Sequence, residues 1–422
     1  RLEKIYVQEQ LETSDHQALI SLIRKTKINS LVISNSKYAG LGMNNFRFLR
    51  ELKLPQCERP GKLAVQTNSS KPHLTTLSVS TSYIHSEKLV IRNLSSLTCL
   101  HLNLVNQLSE DCWQEISRSN LLRYLSIDGP GYIVTSSEVI KNLPLSGLTL
   151  VLHQGTLSVK ESEEAFLRIL SNLNRLTYLE LIFKIESIAS TSGFPRALGT
   201  TLSKMATIKN FRLRYDSISS FEPFFEKAAK LTSLEILEIV CEAFSPDFRE
   251  IFSISKFILH NKRLLELTLQ YTSIVELDAQ EYEVTCKNIS KLTGLKKLKL
   301  NLGKCKDLEI KPFCNMISRL QDMEFFHLMD SGQLLYGDSS FKLFVSGLKK
   351  LKKLRDLRLK LHFMDVKSSH LKFLEDIAEK TWDLDCLNIS IVHGGEGIEV
   401  RKFRGNSLKI LEIARRNRDL NI

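Results

Sequence analysis

Apolar residues return along this chain in one recurring phrase. In LKKLKKLRDLRLKLHF, Leu348, Leu351, Leu354 and Leu357 stand three apart, whereas Leu357, Leu359 and Leu361 stand two apart. Three-residue spacing suits the last turns of a helix and a tight corner, and two-residue spacing puts side chains on one face of a strand. The stretch therefore predicts a helix end, a turn and a strand, not one basic helix. The phrase recurs as LTCLHLNL, LTYLELIF, IKNFRLRY, LEILEIVC, LLELTLQY, LKKLKLNL and LDCLNISI. Weaker copies are INSLVIS, LRELKL, LTTLSVS, LRYLSI, LSGLTLVL, MEFFHL and LKILEI. The second apolar residue of each copy is a marker, at 31, 52, 77, 100, 125, 148, 179, 211, 237, 267, 298, 326, 357, 387 and 411. Fixed-phase recurrence over 21 to 32 residues is the signature of a repeat array.

Between the phrases lie helix signals. SEEAFLRILSNL offers Ser162 as an N-cap and apolar residues at 165, 166, 169, 170 and 173. FPRALGTTLSKM and KPFCNMISRL put Pro195 and Pro312 near helix starts, where a missing N–H does no harm. SSFKLFVSGLKKL and SSHLKFLEDIAEK open on serines suited to capping. The steps before residue 148 are shorter and predict short helices or irregular segments. Longer outer segments spread that face, so a flatter N-terminal part and a more curved C-terminal part are expected.

The motif L-x-x-L-x-L, over nearly the whole chain, resembles the leucine-rich-repeat family. The longer steps resemble its ribonuclease-inhibitor class. That resemblance implies an α/β solenoid, a horseshoe with a parallel β-sheet on the concave face and helices on the convex face. Each unit would bury its apolar face only against its neighbours. The family places Asn or Cys five residues after the marker, and here only Cys57 fits, so the repeats are degenerate and the turn ladder is expected to be irregular. The expected organisation is an N-terminal capping helix (1–27), short repeats (28–147), longer ribonuclease-inhibitor-like repeats (148–404), and a last strand with a basic C-terminal cap (405–422).

The net charge of +12 changes this picture only at the ends. Residues 1–100 hold 14 basic and 7 acidic side chains, residues 101–400 hold 38 of each, and residues 401–422 hold 7 and 2. A whole-surface grip on nucleic acid does not follow. The eight cysteines form no CxxC pair, and none has zinc spacing with a histidine. They read as reduced, mostly buried thiols of an intracellular protein. No run reaches the length of a membrane span. RLEKIYVQEQLETSDHQ has no signal-peptide core. The cytoplasm or nucleus is favoured, with an organelle left open if a presequence preceded Arg1.

No catalytic constellation stands out, and neither a cofactor, a metal nor a small-molecule substrate is expected. GGEGIEV (394–400) lacks P-loop and dinucleotide-fold order and reads as a loop between repeats. His260 and His362 lack spaced partners, and Glu163 and Glu164 suit a helix start. The positions between strand leucines point away from the core and form the candidate surface. There Lys209, Arg212 and Arg214 make one basic rung, Lys296, Lys297 and Lys299 a second, and Arg355, Arg358 and Lys360 a third. Glu235 and Glu238, followed by Glu266, interrupt them. Tyr178, Tyr215, Tyr271 and Phe325 are the aromatics on hand for base stacking. Mixed charge on a concave face favours a protein partner over a nucleic-acid groove. A basic C-terminal patch is formed by Arg401, Lys402, Arg404, Arg415, Arg416 and Arg418. The reading is a non-enzymatic protein-interaction scaffold or adaptor within a larger intracellular assembly. Two alternatives stay open: a ribonucleoprotein subunit holding RNA through its basic ends, and an enzyme regulator of inhibitor, GTPase-activating or ubiquitin-ligase substrate-receptor type.

Overall fold

The computed structural model of the chain describes residues 4–7, 18, 21–22, 25, 27–33, 48–57, 63–66, 74–81, 89–92, 95–104, 108–129, 132–153, 156–157, 160–184, 193–216, 221–242, 248–271, 279–301, 310–330, 338–362, 384–393, 396–403 and 411–412. They fall into two compact units, residues 1–194 and 195–422.

The first unit runs β1 (Lys4–Val7), β2 (Ser30–Ile33), β3 (Glu51–Cys57), β4 (Leu63–Gln66), β5 (Thr76–Thr81), β6 (Leu89–Arg92), β7 (Cys99–Leu104), α1 (Glu110–Ser117), β8 (Tyr124–Asp128), α2 (Tyr132–Ile140), β9 (Gly147–His153), α3 (Lys160–Asn172) and β10 (Tyr178–Lys184). β1, β2, β3, β5, β7, β8, β9 and β10 pair in that order, all parallel. The markers Leu31, Leu52, Leu77, Leu100, Leu125, Leu148 and Leu179 lie in mutual register along this sheet. Each is fully buried.

The short early steps resolve in two ways. α1 and α2 are short helices of eight and nine residues, and Ser109 caps α1 by accepting from the Cys112 N–H. β4 and β6 are instead extended, and pair in parallel as a separate two-stranded sheet. β6 also contacts α1. Repeats of 23 and 25 residues occur with both outcomes, so step length alone does not decide between a short helix and extended chain.

The second unit opens within α4 (Phe194–Leu202). It continues with β11 (Asn210–Tyr215), α5 (Glu222–Ala228), β12 (Ile236–Cys241), α6 (Phe248–His260), β13 (Glu266–Tyr271), α7 (Ala279–Ile289), β14 (Lys297–Asn301), α8 (Ile310–Arg319), β15 (Phe325–Asp330), α9 (Asp338–Leu348), β16 (Asp356–His362), β17 (Cys386–His393), β18 (Glu396–Phe403) and β19 (Leu411–Glu412). β11 to β17 are parallel and in register through Phe211, Leu237, Leu267, Leu298, Phe326, Leu357 and Leu387. Burying each such side chain contributes about 2 kcal/mol.

The three-residue spacing has a direct structural cause. Leu351 N donates to Leu348 O (3.0 Å) and Leu354 N to Leu351 O (3.2 Å), closing two turns between the end of α9 and β16. From β2 to β10, and from β11 to β17, the carbonyl two residues before each marker accepts two N–H groups of the next repeat. Lys209 O, for example, takes both Glu235 N and Ile236 N. Such double bonds occur at all six steps in each unit, at 2.7–3.1 Å. At the far ends of the strands, among the described residues, only Glu242 N to Tyr215 O (2.8 Å) joins neighbouring repeats outside the strand ladder.

Several expectations need correcting. Ser162 is not an N-cap: α3 begins at Lys160, and Ser162 is buried within its first turn. Ser339 and Ser340 likewise lie inside α9, which begins at Asp338. The serines of SSHLKFLEDIAEK lie outside the described residues. GGEGIEV is not simply a loop, because Glu396–Phe403 is a strand antiparallel to β17, and the marker at 411 pairs antiparallel with it rather than starting a parallel repeat. Tyr215 and Tyr271 do not face outwards. They are the last core residues of β11 and β13, at 2% and 1% exposure.

Glu250 of α6 is buried at 2% exposure. It accepts from the Tyr215 hydroxyl, and at 3.0 Å from the Phe221 N–H that precedes α5. One repeat's helix is thereby tied to the strand end and loop before it. Burial first, and Glu250 second, push the Tyr215 and Tyr271 hydroxyls well above the ordinary tyrosine range. Gly199 in α4 is a second close approach, since a Cβ there would lie 2.4 Å from the Phe224 carbonyl oxygen. Glu250→Ala leaves the Tyr215 hydroxyl and Phe221 N–H without their acceptor and lowers stability by about 3 kcal/mol. Glu250→Gln, which keeps an acceptor, loses less. Urea unfolding of the two variants checks the order.

Candidate functional site

Strand alternation divides each sheet into a core face and an open face. In β11, β13 and β16, Phe211, Leu213, Leu267, Leu269, Leu357 and Leu359 are buried, and the residues between them are partly or fully exposed. Neighbouring strands bring equivalent positions into rows. One row reads Arg212, Glu238, Thr268, Lys299, His327, Arg358 and Asn388, and the next Arg214, Val240, Gln270, Asn301, Met329, Lys360 and Ser390.

The three basic rungs are therefore brought onto one sheet, but they are not alike. In the first, Lys209 pairs with Glu235 (2.9 Å), Arg214 with Glu238 (2.9 Å), and Arg212 approaches Glu238 at 3.7 Å. In the second, Lys296 pairs with Glu324 (3.4 Å) and Lys297 with Glu266 (2.6 Å). In the third, Asp356 grips Arg358 through two bonds, Nε to Oδ1 at 3.0 Å and Nη2 to Oδ2 at 2.9 Å. The Arg358 guanidinium also lies 5.3 Å from the Phe325 ring centroid. No carboxylate among the described residues pairs with Lys299, Arg355 or Lys360. Glu324 and Asp356 are the partners the sequence reading missed. Both lie in the two positions just before a marker, next to the basic residues it had picked out.

His327 lies in register between Lys299 of β14 and Arg358 of β16. Burial lowers its pKa to about 4, and the cations of Lys299, Arg358 and Lys360 add to the shift while Asp356 opposes it. The imidazole is neutral at physiological pH.

The basic C-terminal patch is placed only in part. Arg401 and Lys402 stand on β18 opposite Asn388 and Leu387. Their side chains, and Arg404, Arg415, Arg416 and Arg418, lie outside the described residues.

The open face of the first unit carries a different set. Tyr124 and Tyr178 flank Gly147, where a Cβ would lie 2.6 Å from Tyr124 Cδ2. Tyr124 Oη and Thr149 Oγ1 share a 2.8 Å bond, Thr149 donates to Glu180 (3.1 Å), and Tyr178 donates to Glu180 (2.8 Å). His153 Nε2 lies 2.5 Å from Asp128 Oδ1. Cys99 Sγ and His101 Nε2 are 3.1 Å apart. Burial raises the thiol and lowers the imidazole, so each stays neutral and the pair lacks the thiolate a nucleophile needs. Burial also pushes the Cys314 thiol up to about 12. Among the described residues, no three acidic, histidine or cysteine side chains are grouped to hold a metal ion. Among them, no helix is long and apolar enough to cross a membrane.

The leucine phase, the in-register parallel strands and the helices between them make this a leucine-rich-repeat solenoid. No protein-family model matches the chain, and no curated protein matches it. Among solved structures, a leucine-rich-repeat protein of Leptospira interrogans is 15% identical, with a TM-score of 0.33, over 91% of this chain and 100% of that one. The functional domain of InlJ from Listeria monocytogenes, which includes a cysteine ladder, is 14% identical, with a TM-score of 0.35, over 93% of this chain and 72% of that one. The leucine-rich-repeat protein LegL7 of Legionella pneumophila is 13% identical, with a TM-score of 0.37, over 68% of this chain and 88% of that one.

As the pH falls from 6.5 towards 4, the unfolded chain gains a proton at position 327 that the folded chain does not take up. Stability therefore declines across that window, and His327→Gln flattens the decline. Selective labelling of histidine rings checks the cause by NMR, with the His327 midpoint expected near 4.

Proposed function

We propose that the chain is a non-enzymatic interaction scaffold or adaptor within an intracellular assembly, and that it binds a protein partner through the open face of β11–β16. A leucine-rich-repeat fold supports protein interaction in general. The observation that carries the finer reading is the pairing of the rungs. Glu235, Glu238, Glu266 and Glu324 break the cationic surface into alternating patches, and most of its cations are already held in place. A nucleic-acid groove calls for an unbroken cationic track with open aromatic faces. Here Tyr215 and Tyr271 are in the core, and Arg358 lies over Phe325. A patterned surface of both signs discriminates among protein partners instead, and side chains fixed in advance lower the ordering cost of binding.

Purification of the tagged chain from its native source, with mass spectrometry of whatever accompanies it, tests this reading. A protein recovered in fixed proportion is expected. Recovery as a lone monomer, or with RNA lost steeply between about 50 and 200 mM salt, overturns it.

A further inference from the structure

Across β14–β16 the rungs keep cations that no carboxylate among the described residues holds. Lys299 lies next to His327 across the β14–β15 ladder, His327 next to Arg358 across β15–β16, and Met329 next to Lys360. Strands lie about 4.8 Å apart, so the Lys299–His327–Arg358 row spans about 10 Å. Among the described residues, three carboxylates of this region are already committed: Glu324 to Lys296, Glu266 to Lys297 and Asp356 to Arg358. Arg358 has one Asp356 carboxylate and the Phe325 face holding it upright, while Lys299 and Lys360 have no anionic partner among the described residues.

We infer that Lys299, His327, Arg358 and Lys360 form a seat for an acidic segment of the protein partner, an extended run of Asp and Glu side chains crossing β14–β16. The inference rests on the scaffold reading and names its partner's chemistry. An extended peptide presents alternate side chains about 6.8 Å apart, so two or three carboxylates cover the row. The neutral imidazole is what lets three cations stand around one point without a fourth. An arriving carboxylate favours its protonated form, opposing Lys299 of β14 and Arg358 and Lys360 of β16 and adding to Asp356. RNA is disfavoured because Arg358 lies over the Phe325 ring, and the cationic area ends at Glu266 and Glu324.

The test uses the full chain and a fluorescein-labelled decapeptide of alternating Glu and Asp, read by anisotropy at low salt. The double variant Lys299→Glu/Lys360→Glu breaks no ion pair among the described residues. It is compared with Lys230→Glu/Lys262→Glu, an equal change of net charge at exposed positions after α5 and α6. The seat variant is expected to bind about tenfold or more weakly, and the control within about twofold of the parent. The peptide should also raise the His327 midpoint above about 4. Equal losses in the two variants, or an unmoved His327 midpoint, overturn the seat. So does a single-stranded RNA oligonucleotide that binds the same residues more tightly than the peptide. If the seat variant still recovers the native partner at full yield, the seat fails and the scaffold stands. If neither parent nor variant recovers any partner, the scaffold reading itself fails.

Discussion

One carbonyl group per repeat holds this architecture together. Two residues before each marker it accepts two N–H groups from the next repeat, at every step from β2 to β10 and from β11 to β17. A parallel pair slipped by one residue would turn its core leucines to the open face. The double bond fixes where each strand begins, and hence which side chains are buried. It is made by backbone alone, so it asks nothing of the side chains at those positions. In the first unit some add a hydroxyl to the same carbonyl, as Thr98 does to Thr75 and Thr177 to Ser146. In the second unit the same positions carry Lys209, Glu235, Lys296, Glu324 and Arg355. The repeats can therefore be degenerate at the far turn, where the sequence shows almost none of the usual Asn or Cys, without losing their stacking.

What was legible in the sequence follows from this division of labour. Leu348, Leu351, Leu354 and Leu357 stand three apart because two closed turns join the helix to the strand, and within each unit the markers, 31 to 179 and 211 to 387, meet in register because each stands at the start of a strand. Phase encodes both facts. Phase does not encode the layer opposite the strands: β4 and β6 are extended where short helices or irregular chain were expected, since segments of that length satisfy either choice. Alternation does run on past the second core position, two residues beyond Leu213 and Leu269, and it predicts the core face there. Tyr215 and Tyr271 occupy the third, where the neighbouring strand has Cys241. They turn inwards to surround Glu250, whose partners lie in other repeats and leave no local pattern.

The end of the second sheet shows the same limit. Parallel repeats leave an unpaired strand edge, which invites pairing with another chain. β18 takes the edge of β17 by running back antiparallel, with only Gly394 and Gly395 between them. A Gly-Gly pair between two extended runs is a hairpin signal.

The charged residues show what register does to a surface. Strands about 4.8 Å apart put opposite charges on adjacent repeats within reach, so Lys209 meets Glu235 and Arg214 meets Glu238 without any long-range design. Each such exposed pair adds only about 0.5 kcal/mol to stability. The effect on the field is larger, because a paired rung presents a dipole where an unpaired one presents a charge. Read along one strand at a time, the three basic rungs look equivalent. Read across strands, every cation of the first reaches Glu235 or Glu238, and the second is neutralised at two of its three lysines. What remains among the described residues is Lys299, Arg355 and Lys360, with Lys299 joined through His327 to the Asp356-held Arg358. The register that the backbone carbonyls impose is thus also what concentrates the charge, since Lys299, His327 and Arg358 come from three repeats and meet only because their strands begin in step.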